Sequence, residues 1–161
     1  GREQGKLKCG KREGPWVEYR TGGQLSKTSH YRNGELYGLM VEYHENGQRR
    51  CKKNFRNGKS EGPLVCYYEN GQLQAKGAHK NGKREGPWIY YRENGQLDAK
   101  EEYKNGEKEG PWVTYWPNGR PGAKGAYKNG KREGPLIFYY RDGTKNEDIS
   151  GTYRNDVKVS D

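Results

Sequence analysis

Short apolar runs separated by polar turns fill the chain from one end to the other. In residues 82–106, the run Trp88-Ile89-Tyr90-Tyr91 is aromatic and β-branched, which is typical of strands. The stretch from 96 to 103 alternates apolar and polar residues, as a half-buried strand does. No window has apolar residues at helical spacing, and Gly or Pro interrupts the chain about every ten residues. The pattern therefore predicts strands joined into β-hairpins.

The hairpin recurs with a period of 24 residues. A Gly-Pro-Trp segment or a degenerate relative of it begins at Gly14, Gly38, Gly62, Gly86, Gly110 and Gly134. Self-similarity at a fixed period of roughly 20 to 50 residues indicates stacked repeats, in which each unit buries surface only against its neighbours. We therefore predict an all-β fold of stacked β-hairpin repeats.

Most repeats contain two Asn-Gly pairs between their apolar runs, for example Asn94-Gly95 and Asn105-Gly106. Asn-Gly is the strongest short-range hairpin signal, because a type I′ turn needs positive φ at both central residues. Both pairs therefore predict a hairpin turn. Whether the first loop has two or three residues stays open, and with it the face of the column Leu25, Leu73 and Leu97, because a slip of one residue moves a strand's side chains to the other face.

Aligned repeats show one uniform face and one variable face on the first strand. The uniform face has one column of Val17, Val41, Val65, Ile89, Val113 and Ile137. Two residues on, and thus on the same face, is a column of Tyr19, Tyr43, Tyr67, Tyr91, Tyr115 and Tyr139. The other face begins with Trp16, Met40, Leu64, Trp88, Trp112 and Leu136 and then varies. We predict that the Val/Tyr face is the core and that the variable face is partly exposed.

Composition alone leans toward disorder, with 29% hydrophobic and 32% charged residues. The 12% of aromatic residues falls at fixed positions of the repeat, however, which favours a folded stack with a thin core. The net charge of +10 favours an acidic partner: a protein, an anionic membrane or nucleic acid. Lysines in the Lys-Arg-Glu turns, such as Lys83, have the alternative interpretation of ordinary solvated turn residues.

The cysteines and histidines form no recognisable metal or catalytic motif. Cys9, Cys51 and Cys66 lack a CxxC spacing and are interpreted as packing residues, although Cys51 and Cys66 lie on adjacent predicted strands. His79 stands in an aromatic column and is interpreted as a packing residue. No nucleophile elbow or phosphate loop is present, so we predict a protein that is not an enzyme and needs no cofactor.

The unit Y-x-N-G-K-x-E-G-P-W-x-x-Y-x-x-N-G-Q-L resembles the MORN-repeat variant of bacterial YwqK-type antitoxins, over about Leu7 to Tyr153. The resemblance implies an elongated, single-layer antiparallel sheet with one hairpin per repeat. It also implies binding rather than catalysis, and similarity to immunity proteins against secreted effectors, including lipase-type effectors of type VI secretion. We expect one domain over 1–161, with about six repeats and a C-terminal cap at 141–161, because terminal repeats are normally atypical.

Departures from the repeat pattern mark the candidate binding residues. The second unit and the basic run after it, and the fifth unit, differ most from the rest. For the basic run, a binding role and a solvated strand are both open. The predicted partner-binding residues are Tyr37, Met40, His44, Arg49, Arg50, Lys52, Lys53, Arg56, Tyr90, Trp112, Trp116 and Arg120. Aromatic and Arg side chains are the types that dominate interface hot spots.

The leading functional expectation is an antitoxin or immunity protein that neutralises a bacterial toxin or effector by direct binding to an acidic surface. The alternative is a scaffold or a module that binds anionic membranes, and nucleic acid is a less favoured partner because acidic residues share the basic turns. The chain starts at Gly1 without Met, so either a leader has been removed or the chain is trimmed. A periplasmic location is slightly favoured over a cytoplasmic one.

Overall fold

A computed structural model describes residues 1–161, which form seventeen strands and no helix in two compact units, 1–83 and 84–161. Unit 1 contains β1 (Arg2–Lys8), β2 (Lys11–Tyr19), β3 (Leu25–Arg32), β4 (Glu35–Leu36), β5 (Gly38–Tyr43), β6 (Arg49–Arg56), β7 (Lys59–Tyr67) and β8 (Leu73–Lys80). Unit 2 contains β9 (Lys83–Tyr91, whose first residue ends unit 1), β10 (Leu97–Lys104), β11 (Glu107–Lys108), β12 (Gly110–Tyr115), β13 (Pro121–Lys128), β14 (Lys131–Arg132), β15 (Gly134–Phe138), β16 (Gly151–Arg154) and β17 (Val157–Ser160).

Each unit is an antiparallel meander. In unit 1 the pairing order is β1-β2-β3-β5-β6-β7-β8, and the two-residue β4 extends the pairing of β3. In unit 2 the order is β9-β10-β12-β13-β15-β16-β17, with β11 and β14 as similar short extensions. The predicted all-β fold of stacked hairpins is confirmed. The grouping into two units does not decide the predicted single repeat domain with a cap, which stays a prediction.

The two Asn-Gly pairs of a repeat make different turns. At the second pair both residues have positive φ, as at Asn105 (φ 52°) and Gly106 (φ 89°), which confirms the predicted type I′ turn. At the first pair only Gly95 is positive (φ 84°), so the hairpin turn at Asn94-Gly95 is not of type I′. That loop has three residues, 93–95, closed by the bond from Arg92 N to Gln96 O at 2.7 Å.

The three-residue loop settles the face of the Leu column. Leu97 lies opposite Tyr91, and a bulge separates this pair from the next, Ala99 opposite Tyr90. Residues directly opposite on antiparallel strands point to the same face. The Leu column therefore shares the face of the Val/Ile and Tyr columns.

The prediction that the Val/Tyr face is the core is wrong, because burial is deeper on the opposite face. Trp16, Met40, Trp88 and Leu136 are 8%, 5%, 3% and 0% exposed, whereas Val41 is the only buried member of the Val/Ile column. The physical reason is local cover: the Trp88 ring meets Tyr103 edge-on at 6.1 Å, and the Arg84 guanidinium lies 4.4 Å from its centre. On the Val/Tyr face the cover is sparser, with Arg2 5.4 Å from the ring centre of Tyr19 and Lys124 5.8 Å from that of Tyr139. Apart from Val41, the Val/Ile column there stays half-buried.

A glutamate recurs at one position of the repeat and joins successive repeats; its members are Glu13, Glu61, Glu85, Glu109 and Glu133. Each carboxylate accepts a hydrogen bond from the backbone N–H of the Asn in the next type I′ turn, as Glu109 does from Asn129 at 2.6 Å. The same bond occurs in the pairs Glu13–Asn33, Glu61–Asn81, Glu85–Asn105 and Glu133–Asn155. This contact gives a structural reason for the glutamate that recurs at this position, where only the second repeat differs, with Tyr37.

Substitution of Glu109 by Ala is expected to lower the free energy of unfolding by about 1 kcal/mol, since a charge-assisted bond to a backbone donor is lost at a half-buried site. Urea denaturation measures the change. The matched control is Glu107→Ala, because Glu107 is an exposed residue of the same turn. Equal effects of the two substitutions would contradict a joining role for Glu109.

Two of the three cysteines are bonded to each other. Cys51 on β6 and Cys66 on β7 lie directly opposite and form a disulfide, so their interpretation as packing residues is replaced by a covalent link within unit 1. Cys9 is free and exposed in the first turn.

Candidate partner-binding face

A column of lysines runs along the Val/Tyr face. Lys52 lies opposite Val41 and Val65 in unit 1, and Lys100 lies opposite Ile89 and Val113 in unit 2. Lys76 and Lys124 occupy the same repeat position, opposite Val65 and opposite Val113 and Ile137. Opposite residues share a face. We call this surface the lysine face of each unit: Lys52 and Lys76 with the Val column in unit 1, and Lys100 and Lys124 with the Val/Ile column in unit 2.

The lysines of this face have no carboxylate partner, whereas those of the opposite face do. On the opposite face Lys27 pairs with Glu18 at 2.7 Å, Lys53 with Glu42 at 3.5 Å, and Lys108 with Glu101 at 2.6 Å. None of the four lysines of the lysine face lies within 4.0 Å of a carboxylate, and Lys76, Lys100 and Lys124 are exposed. The positive charge of this face is therefore available to an external group.

In unit 2 the lysine face contains an apolar groove of about 580 Å³. Exposed prolines line one side of the groove at the start of each first strand: Pro87, Pro111 and Pro135. The half-buried Ile89, Val113 and Ile137 form its floor, and Lys100 and Lys124 stand between them. Glu102 is the one acidic residue of the lysine face in the groove. An apolar groove flanked by unpaired ammonium groups suits a partner that carries apolar and acidic side chains together.

The predicted site residues are divided between the two units. Tyr37, Met40, His44, Arg49, Arg50, Lys52, Lys53 and Arg56 lie in unit 1, and Tyr90, Trp112, Trp116 and Arg120 lie in unit 2. Of these, Lys52 belongs to the lysine face. Met40 is 5% exposed and packs in the core, so it is removed from the candidate contacts. Tyr37, Arg49 and Arg56 are exposed.

Three predicted site residues, His44, Trp116 and Arg120, form hydrogen bonds to the backbone of the neighbouring repeat. His44 Nε2 lies 2.8 Å from the backbone oxygen of Tyr67, and Trp116 Nε1 donates to the backbone oxygen of Tyr139 at 3.0 Å. Arg20 and Arg92 make the equivalent bond at the same repeat position. In the same way, Arg120 donates to the backbone oxygen of Asp142. These side chains stabilise the stack through their polar atoms.

Tyr90 and Trp112 are held by contacts within unit 2. The Tyr90 hydroxyl accepts a hydrogen bond from Arg84 at 3.0 Å, and burial raises the pKa of Tyr90 to about 12. Tyr90 therefore stays neutral at physiological pH. The Trp112 ring is half-buried and lies 5.7 Å from the ring of Tyr127. Both residues complete the packing of the face opposite the lysine face.

The carboxylate of Glu42 forms ion pairs with two residues of the predicted basic run. Arg50 and Lys53 lie 2.6 Å and 3.5 Å from its carboxylate oxygens. Burial raises the pKa of Glu42, but the hydrogen bond from Arg50 and the charges of Arg50 and Lys53 outweigh it, so the pKa lies below the ordinary value. Arg50 and Lys53 are therefore partly neutralised within unit 1.

A lowered pKa means that ionised Glu42 stabilises the folded state. This contribution is full above the pKa of an unfolded glutamate and is lost as the pH falls through the lower, folded pKa. We expect Glu42→Gln to reduce the free energy of unfolding at neutral pH and to have a shrinking effect at acid pH. Urea unfolding at a series of pH values measures this, with Glu45→Gln as the exposed control. A pH-independent effect of Glu42→Gln would contradict the ion pairs.

Sequence reasoning missed Lys76, Lys100 and Lys124, although the signal was present. Aligned at 24 residues, the second strands read Thr28, Lys52, Lys76, Lys100 and Lys124 at one position. The sequence does not show which face of the sheet these lysines occupy until the strand register places each of them opposite Val or Ile. That register depends on the loop length, which the sequence left open.

The structure gives no indication of a metal centre or of a membrane-crossing helix. No group of three or more His, Cys, Asp or Glu side chains is arranged to hold a metal ion. No helix is present with the length and apolar character needed to cross a membrane.

Comparison with known proteins identifies the repeat. Residues 36–57, 60–81 and 84–105 each match the family model described as MORN repeat variant. No curated protein matches the chain. Among solved structures, one described as the GtfA/B complex bound to UDP and GlcNAc is 14% identical over 68% of this chain, with a TM-score of 0.27. This chain spans 22% of the length of that structure's chain.

The matched segments coincide with the hairpins of the structure. Each contains one three-residue loop and ends at the Asn that begins a type I′ turn, namely Asn57, Asn81 or Asn105. MORN repeats are generally modules that bind proteins or membranes. Three segments of the chain, residues 36–57, 60–81 and 84–105, are therefore similar to the MORN repeat variant.

Proposed function

We propose that this protein is a non-enzymatic binding module that neutralises a bacterial toxin or secreted effector by direct contact. Its lysine face receives an acidic, partly apolar surface of the partner. The observation that carries this proposal is the contrast between the two faces: lysines opposite the lysine face are paired with glutamates, and those on it are not.

The composition of the lysine face suits protein recognition in two ways. The half-buried Val/Ile and Tyr columns offer apolar area that is not covered within either unit. The unpaired lysines and the net charge of +10 speed encounter with an acidic partner by electrostatic steering. An ammonium group paired across an interface also fixes the register of the partner. Affinity and specificity thus come from the same surface.

The role as antitoxin or immunity protein rests on the resemblance of the repeat to YwqK-type antitoxins, and a type VI lipase-type effector is one candidate target. The Cys51–Cys66 disulfide supports a periplasmic location, because disulfides persist in oxidising compartments. Inhibition by covering the partner's catalytic cleft is the simplest mechanism for a rigid sheet without chemistry of its own.

The product of the adjacent gene is the partner to test. We expect the two purified proteins to form a stoichiometric complex in size-exclusion chromatography with light scattering, and co-expression to relieve the toxicity of that product. Affinity should fall steeply with salt, because the contacts are electrostatic. Absence of a complex at low salt, together with unrelieved toxicity, would contradict the proposal.

An anionic membrane is the second candidate partner. Arg49 and Arg56 are exposed and form no ion pair, and basic residues near an anionic surface contribute roughly 1 kcal/mol each. Sedimentation with vesicles of phosphatidylcholine, with and without phosphatidylserine, separates the two. Binding that requires phosphatidylserine would favour the membrane role, and no binding at low salt removes it.

A further inference from the structure

A second concave surface lies in unit 2, on the face opposite the lysine face. Its volume is about 540 Å³, within the range of small-ligand sites. Its rim exposes Tyr140 and Ile149, which are 49% and 45% exposed. We call it the aromatic pocket and define it by Arg92, Asp98, Thr114, Trp116, Phe138 and Tyr140.

The floor of the aromatic pocket consists of small residues, of which Gly122 stands where the preceding repeats have Arg50, Gln74 and Asp98. Ala99, Gly122 and Ala123 form its floor. A Cβ at Gly122 would lie 3.3 Å from Trp116 Nε1, so the glycine lets the indole lie close to the strand. The Trp116 ring is fixed by its bond to the Tyr139 backbone oxygen and by the Arg141 guanidinium, 5.5 Å from its centre.

Unit 1 has a concavity at the equivalent repeat positions, with different chemistry. There Glu18, Glu42 and Arg50 stand where unit 2 has Thr114, Phe138 and Asn146. The unit 1 concavity is lined by charged groups that pair with one another, such as Lys27 with Glu18. The same backbone geometry is therefore charged in unit 1 and aromatic in unit 2.

The polar groups of the aromatic pocket present no net charge. Arg92 Nη2 lies 2.5 Å from Asp98 Oδ1 and also donates to the Tyr115 backbone oxygen, so the guanidinium and the carboxylate neutralise each other. The hydroxyl of Thr114 makes no hydrogen bond within the chain, and Asn146 uses its side-chain oxygen but not its amide N–H₂. The hydrogen-bond donors and acceptors left without a partner therefore belong to neutral side chains or to the Arg92–Asp98 ion pair.

We propose that the aromatic pocket binds a neutral saccharide ring. A pyranose has an apolar C–H face that packs against aromatic rings and an edge of hydroxyls that both donate and accept. Phe138 and Tyr140 supply the rings, while Thr114, Asn146 and the free oxygen of Asp98 supply the hydrogen-bonding groups. A charged ligand would find no uncompensated opposite charge in the pocket, and its desolvation would oppose binding.

The four tryptophan indole N–H signals of the full chain give a direct test by ¹⁵N NMR. We expect cellobiose, maltose or lactose, titrated to about 20 mM, to shift the Trp116 signal, with the signals of Trp16, Trp88 and Trp112 as internal controls. Thr114→Tyr should weaken the binding about tenfold or more by filling the pocket. The repeat already accepts Tyr at this position in Tyr90. Glu18→Tyr, the same position in unit 1, should leave the affinity unchanged.

Three results would overturn the proposal. The first is an unshifted Trp116 signal with all three disaccharides. The second is equal binding by wild type and Thr114→Tyr, with the variant's spectrum showing it folded. The third is a Trp116 shift caused by a neutral tyrosine-containing peptide but not by the sugars, which would reassign the pocket to a partner's side chain. Because the lysine face lies on the other side of the sheet, the first two results leave the proposed function unchanged, and the third would add a partner contact outside the lysine face.

Discussion

Reversing two charges, by the double substitution Lys100→Glu and Lys124→Glu, is expected to weaken binding of the acidic partner about 100-fold or more. Juxtaposed like charges at an interface cost several kcal/mol, and every 1.4 kcal/mol or so is tenfold in affinity. Neither lysine has a carboxylate partner to lose within the chain, so the substitution should leave the fold intact. Isothermal titration calorimetry with the purified partner measures the change, and thermal denaturation checks the fold.

A matched control carries the same change in net charge at a different surface. Lys104 and Lys131 are exposed lysines at the hairpin turns of unit 2. Their replacement by Glu should alter the association rate through long-range steering and leave the dissociation rate nearly unchanged. An equal loss of affinity in both double variants would mean that net charge alone, and not the lysine face, recruits the partner.

Substitution of Leu136 by Ala is expected to lower the free energy of unfolding by about 2–5 kcal/mol, the range for emptying a fully buried Leu site. Leu136 is 0% exposed. It lies opposite Gly151, and a Cβ on Gly125 would lie 2.7 Å from its Cγ, so two glycines make the space that it fills. Those backbones cannot collapse onto a smaller side chain without breaking strand pairing.

Ile137 provides the comparison, since it is the next residue along β15 and points to the lysine face. It is only half-buried, so Ile137→Ala should cost about 1 kcal/mol. Urea denaturation of both variants measures the difference. If Ile137→Ala were the more destabilising change, the assignment of the core to the Trp/Leu face would be wrong.

The hairpin architecture could be predicted because its signals are local. The Asn-Gly pairs and the strand composition depend on a few neighbouring residues, and the period places them. The sequence could not distinguish the three-residue loop from the type I′ turn, because Asn94-Gly95 and Asn105-Gly106 are the same dipeptide. They differ in the bond from Gln96 N to Asn94 Oδ1 at 3.0 Å, which holds Asn94 at negative φ.

Which face of the sheet forms the core could not be predicted from how constant the residues of each face are along the repeats. Val or Ile and Tyr recur in every repeat on one face, yet the more deeply buried side chains are the Trp and Leu residues of the other face. They are buried because Arg and Tyr side chains of their own face close over them. A single-layer sheet has no second layer to select the buried side. Burial then follows from how many long side chains fold back on each face, which is a property of three-dimensional packing.

The candidate site escaped prediction for a related reason. Departures from the pattern drew attention to His44 and Trp116, which instead join successive repeats. The lysines of the lysine face were hidden by their regularity. Whether a lysine is paired depends on which carboxylates share its face. Lys53 lies 3.5 Å from Glu42 on one face, while its neighbour Lys52 lies opposite Val41 and Val65 on the other.

Site-specific photocrosslinking tests most directly the claim that the lysine face binds the partner. A photoreactive side chain would replace Lys124 on the lysine face or, in a second variant, Lys108 on the opposite face. With the adjacent-gene product, we predict a crosslinked heterodimer from position 124 and none from position 108. Crosslinking from position 108 alone would contradict the account and place the partner on the opposite face.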